Sequence, residues 1–230
     1  MGAAFMLHPE VLGPGKEAGY PGGFSYYVVG RGGVLGDVDA DVVVSAFGFF
    51  APGLVTSLWN AGVVVEGARA GARRYADACA EWGRSRLGDF AGAERLAELL
   101  GRVVDAADVG GLSLFSGWRN VDRPADAAGR CYLLLHVARE LRGSVHLLSC
   151  VASGLTPLDA VLSNPNGGAD QAEKFGWSGP FEIDVDVASR FENAEDLTDR
   201  LMARHLDLLS DDELRELTDL VAAAHRHLLG

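Results

Sequence analysis

The sequence predicts a mainly α-helical, multi-helix domain carrying one short β-hairpin. Hydrophobic residues make up 48% of the 230-residue chain and recur mostly at three- and four-residue spacing, the repeat of a helix with one buried face. Only one segment alternates with period two. Gly and Pro fall between these runs, where helices stop and start. The chain is long enough for a sizeable core, and it divides into an N-terminal helical part with a Gly-rich loop (1–123), a central part (124–192) and a C-terminal helical pair (193–230), read together as one compact unit.

From Pro9 to Gly36 the spacing of Gly and Pro predicts a loop with one short element at Phe24 to Val29. The glycines of GRGGVLG lack the strand-then-helix context and the Lys of a phosphate loop, so they predict a tight turn around Arg31. The uncharged run between Asp41 and Glu66 has the length of a membrane span, but Pro52, its flanking glycines and Asn60-Ala61-Gly62 break it. Two buried helices follow, Asp39 to Phe49 and Pro52 to Trp59. Val64 to Leu87 and Gly92 to Ala107 read as an amphipathic pair. Gly110 to Pro124 reads as a loop carrying Phe115 and Trp118, with Pro124 opening the next helix.

That next stretch, Cys131 to Leu162, organises the rest. In helical register Tyr132, His136, Arg139, Arg142, His146 and Cys150 share about one 120° sector, opposite Leu133, Leu134, Val137, Leu141, Val145 and Leu148. A polar stripe is ordinarily the wet side of a helix. Solvent faces, however, carry Glu and Lys, whereas Tyr, His, Cys and Arg suit the wall of a pocket. On that reading His146 moves a proton, and Arg142 and Arg139 stabilise charge on a substrate oxygen. Arg31, Tyr27, Phe47, Phe50, Trp59, Phe115, Tyr132, Cys150 and Trp177 complete a substrate-binding wall. The expected activity is a cofactor-independent enzyme, a cyclase, isomerase or lyase, acting on a small hydrophobic metabolite in biosynthesis. No cofactor or metal is expected, because His225 and His227 point apart on a helix and no ligand pattern accompanies them.

The same stretch has the punctuation of a helix-turn-helix: Gly143 to Ser153, a turn at Gly154, then Thr156 to Leu162. Beyond NPNGGAD, alternation at Phe181, Ile183, Val185 and Val187 predicts a strand, and with a hairpin there the module becomes a degenerate winged helix. TPLDAVLSN contains no Lys or Arg, and the net charge is −12, so a nucleic acid partner is disfavoured. A ligand-responsive winged-helix regulator is the runner-up function. The last two helices, Ala194 to Leu209 and Ser210 to Leu229, carry spaced leucines suited to homodimer packing, and a capping box pairs Ser210 with Glu213. Cys79, Cys131 and Cys150 are spaced for neither disulfides nor zinc, and the first residues lack a secretory pattern; a cytoplasmic, reducing setting is expected.

GRGGVLGDVDADVVVSAFGFFAPGLV, RELRGSVH, the Gly176-Trp177-Ser178 triplet and LTDRLMARHLDLLSDDELRELTDLV together resemble the actinobacterial SalK-like proteins. Arg139, Glu140, Arg142, Gly143 and His146 match that pattern, while Ser144 stands where the family has an Asp. The resemblance implies a helix-turn-helix-like fold, distantly similar in architecture to the MarR-type winged-helix regulators.

Overall fold

The computed structural model describes residues 5–182, 184 and 186–229, and among them it holds twelve α-helices and no strand. Helices appear where the Gly and Pro content predicts a loop. Pro9–Glu17 (α1) has Pro at its first turn and His8 as N-cap, and Gly23–Gly32 (α2) follows after a short turn. The glycines here serve close packing. A Cβ on Gly15 would lie 2.2 Å from the Tyr26 ring and one on Gly30 2.6 Å from the Tyr75 ring, so each lets an aromatic side chain rest against a helix backbone.

Ala40–Phe47 (α3) and Pro52–Glu66 (α4) are the two helices expected from the uncharged run. α4 continues past Asn60-Ala61-Gly62, however, because Gly62 sits against Ser25 of α2, where a Cβ would be 2.4 Å from the hydroxyl oxygen. The amphipathic pair is Ala68–Leu87 (α5) and Ala93–Ala106 (α6), and Gly67 at φ 84° separates α5 from α4. The expected loop after α6 contains a helix, Ser113–Arg119 (α7), which buries Leu114, Phe115 and Trp118.

Ala127–Ala152 (α8) is the long central helix, and it begins later than Pro124. Asp126 is its N-cap, accepting a 2.8 Å hydrogen bond from the Gly129 backbone N–H. Pro157–Ser163 (α9), Ala169–Lys174 (α10), Val187–Leu206 (α11) and Asp211–Leu229 (α12) complete the chain. The expected strand falls partly outside the described residues, at Ile183 and Val185; Val187 opens α11 instead of ending a strand. Before α12 the predicted capping box is present: Ser210 N–H donates to the Glu213 carboxylate at 3.0 Å, and Glu213 N–H donates to the Ser210 hydroxyl at 3.3 Å. No single helix is long and apolar enough to cross a membrane.

α8 is the hub, packed by α5, α6, α7 and α11, which leaves it buried on most of its circumference. One ionic contact fastens α2 to it. The Arg31 guanidinium makes two 2.9 Å bonds to the carboxylate of Glu140, which is wholly buried, and Arg139 adds a third at 2.8 Å. Arg31 also lies 4.6 Å over the Phe47 ring, and its backbone oxygen accepts a 3.0 Å bond from the Trp118 indole. Removing one member leaves the other charge buried without a partner. Glu140→Ala is therefore expected to lower stability by about 3–5 kcal/mol in urea melts, a larger loss than Glu140→Gln, which keeps the shape and part of the hydrogen bonding.

Candidate nucleic-acid interface

The polar stripe of α8 faces inward, and the protein itself fills the space it faces. Tyr132, His136, His146 and Cys150 are buried, whereas Arg139 is half-buried and Arg142 exposed. The stripe divides into two clusters. In the first, the His136 ring stands among Phe5, Tyr75 and Trp118, 4.5 Å from the last, and neither ring nitrogen has a hydrogen-bond partner. Glu140 of the same cluster holds Arg31 and Arg139. In the second, the His146 Nδ1 lies 3.0 Å from the Thr198 hydroxyl of α11, its Nε2 lies 3.6 Å from both Cys150 Sγ and Glu195, and Arg142 donates to Glu195 at 2.9 Å.

Burial pushes the His146 imidazole below its usual range against the pull of Glu195, and burial pushes the Cys150 thiol up to about 12. That thiol is a packed, protonated group. Burial works to raise the Glu140 carboxyl, and the Arg31 and Arg139 guanidiniums override it, holding it down at about 2.

The expected wall residues also sort into different places. Tyr27, Phe47 and Phe50 form an edge-to-face cluster beneath Arg31, with the Tyr27 hydroxyl 3.4 Å from its guanidinium. Trp59 is buried in α4 and Phe115 in α7. The Tyr132 ring packs against Phe5, and the Trp177 indole donates to the Phe49 backbone oxygen at 3.0 Å.

At the end of α8 the chain turns through Ser153 to Thr156, with Gly154 at φ 74°, and α9 leaves at 108° to α8. This is the crossing and turn length of a helix-turn-helix. Thr156 and Asp159 cap each other at the start of α9, which ties the Asp159 carboxylate to Thr156 N–H at 3.0 Å. Leu155, Ala160, Val161 and Leu162 are buried, leaving Thr156, Pro157 and Asn164 exposed. Arg190 of α11 donates to the Gly154 backbone oxygen at 3.1 Å and so pins the turn. Beside the turn a groove of about 400 Å³ is lined by Gly48, Phe50, Leu147, Val151, Pro157 and Trp177, among others.

A family model described as a helix-turn-helix family matches residues 1–181. The chain belongs to that helix-turn-helix family. No curated protein and no solved structure matches the chain. Membership overturns two expectations drawn from the sequence, that the chain is a cofactor-independent enzyme and that a nucleic acid partner is disfavoured. The physical reason for the second error is that net charge is a whole-chain sum. It does not report the local field at one surface, which depends on where the charges lie.

Sequence reasoning assigns no role to Glu140 or Arg190. Glu140 is legible in principle: a lone carboxylate beside Val137 and Leu141 on the apolar side of a helix requires a cation. The contact of Arg190 with the turn has no sequence signal.

The buried imidazole sets a pH dependence. Burial, the largest influence on His136, holds its folded pKa at about 4, below the ordinary value of 6.5, although Glu140 opposes the shift. The unfolded chain therefore takes up the proton first, so stability is complete above pH 6.5 and falls as pH drops towards 4. Between pH 7 and pH 5 the loss from this group is about 2 kcal/mol, with His146 contributing in the same direction. Urea midpoints measured at both pH values should converge in His136→Phe relative to wild type.

Proposed function

We propose that the protein is a ligand-responsive helix-turn-helix regulator that docks on duplex DNA through α9 and the Ser153–Thr156 turn. The observation that carries this reading is the family match, which spans α8, the turn and α9, taken with the 108° crossing of those two helices. α9 itself has no cation, so phosphate contacts must come from its flanks. Lys174, exposed on α10, is placed there, whereas Arg190 beside the turn is held by the Gly154 backbone oxygen and by Asp184. The narrower resemblance to actinobacterial SalK-like proteins, and with it a bacterial cytoplasmic setting, accompanies this reading.

The apolar groove supports the ligand-responsive part. It touches the turn after α3 at Gly48, Phe50 and Pro52, and the start of α9 at Pro157, so a small hydrophobic molecule there would bear on the angle of α9 directly. The acidic α11 and α12 retain partly exposed leucines, including Leu201, Leu214 and Leu217, which suit a homodimer contact.

Fluorescence anisotropy with random-sequence duplexes tests the docking. Affinity should fall linearly on a logarithmic salt scale, and Lys174→Ala should reduce that slope by about one. Indifference to DNA at low salt would remove the reading. The groove is tested with Nile red. Its fluorescence should rise on mixing with wild type, should not rise with Ser144→Trp, and bound dye should alter the anisotropy-derived DNA affinity.

A further inference from the structure

A second four-residue turn in the chain repeats the construction of the first. α3 ends at Phe47, and four residues, Gly48 to Ala51, with Gly48 at φ 65°, lead to Pro52 at the first position of α4. α8 ends before Ser153, and four residues, with Gly154 at φ 74°, lead to Pro157 at the first position of α9. Each turn uses Gly where the backbone enters the left-handed region, and Pro where a helix begins without needing its N–H. Phe50 and Leu155 stand two residues before the prolines, and Val55 and Ala160 three residues after them. All four are buried.

The likeness extends beyond the turns. α5 and α11 have 20 residues each; α5 packs on α2, and α11 packs on α8. The helices that follow share sequence. Leu96, Glu98, Leu99, Val103 and Ala106 of α6 coincide at one constant separation with Leu214, Glu216, Leu217, Val221 and Ala224 of α12. α6 and α12 are also in contact. The order helix, turn, helix, long helix, leucine-rich helix thus recurs on either side of the segment around Pro124, with the short α10 interposed before the long helix in the second half.

We propose that the chain is two copies of one unit, and that α4, entered through the Gly48–Ala51 turn, is a second DNA reader. This inference rests on the DNA-binding reading above. α4 has 15 residues, about 22 Å at the helical rise, against seven in α9. Its buried face is Val55, Trp59 and Gly62. Its exposed face is Gly53, Ser57, Asn60, Ala61 and Val64, at the spacing of a single helical stripe. That stripe carries no charge, which is unusual for a solvent face and suited to a base-reading one. Asn pairs with adenine and Ser with either donor or acceptor edges, Ala and Val meet the thymine methyl, and Gly53 permits close approach of the backbone. Arg69 and Arg73, on the first two turns of the next helix, are exposed with no ion-pair partner among the described residues, and line a pocket with Gly33, Val34, Gly117 and Asn120.

Selection from a pool of random-core duplexes by the full-length protein tests the proposal, with the stoichiometry of the selected complex read by light scattering. Wild type should enrich a site with two unlike halves for each bound chain, unlike because Ser57 and Asn60 differ from the exposed residues of α9. Ser57→Ala/Asn60→Ala, both exposed and expected to leave the melting temperature unchanged, should lose base preference in one half by roughly five- to a hundredfold and keep the other. A motif unaltered by the double variant, or a site with a single half for each bound chain, would overturn the second reader while leaving DNA binding through α9 intact. Failure of wild type to enrich any sequence would remove the DNA-binding reading and the second reader with it.

Discussion

The arrangement depends on one buried carboxylate. Glu140 lies in the middle of α8, wholly removed from water, and an isolated charge there would be prohibitively costly. It is tolerated because Arg31 presents a planar fork to both its oxygens and Arg139 reaches the same group from the adjacent position. The fork geometry fixes direction as well as distance. α2 must therefore stand at one height and rotation against α8, and Tyr27, Phe47 and Trp118, which contact the same Arg31, inherit that placement. A hydrophobic pair would fill the space with less directional constraint.

With α8 fixed in this way, the two ends of the helix differ in what surrounds them. Its first half is enclosed by α5, α6 and α7, and the aromatic rings around His136 close the space there. Towards the C-terminus the cover thins: Leu148 and Val151 are exposed, and the groove opens. At the turn Gly154 is exposed, while Leu155 beside it is buried against Cys150, Ala160, Val187 and Ala194. The Thr156–Asp159 cap and Arg190 on the Gly154 carbonyl add directional contacts to that apolar packing.

Much of this was legible in the sequence wherever a periodic pattern faced the core. The α5 and α6 pair, the broken uncharged run, the turn at Gly154 and the capping box before α12 all follow from spacing and from cap chemistry. Reading failed where glycine was taken only as a flexible residue. Gly15, Gly30 and Gly62 lie inside helices, because their missing side chains admit Tyr26, Tyr75 and Ser25, a property set by tertiary neighbours. The inward direction of the polar stripe was legible from its residue types, but its filling was not. A spacing argument places His136 and His146 on one face without showing that Phe5, from the other end of the chain, occupies the space in front of one and Thr198 the space in front of the other. Chemistry inferred from proximity on a helix therefore separated into two packing clusters.

The two units differ in one respect that bears on how they could work together. In the second, α8 runs unbroken into its turn, whereas in the first the corresponding stretch is divided into α2, a 3-10 turn at Gly33–Leu35 and α3. The division has a packing cause. A Cβ on Gly33 would lie 2.1 Å from the Ala68 backbone oxygen, and Gly36 takes φ 85°, so the chain turns there under the start of α5. Breaking the helix at that point leaves Arg31 on the last turn of α2, aimed at Glu140, and frees α3 to take a direction of its own. A pair built from identical units could satisfy a buried charge only with a matching charge in each copy. Here one copy supplies the guanidinium and the other the carboxylate, beside the packing of α5 and α6 on α8, and the groove is lined by residues of both copies, from the Gly48 turn and from the start of α9. A molecule seated in it would meet the Gly48 turn and the start of α9 at once, and the rigid Arg31–Glu140 contact would leave the relative angle of the two turns as the adjustable quantity.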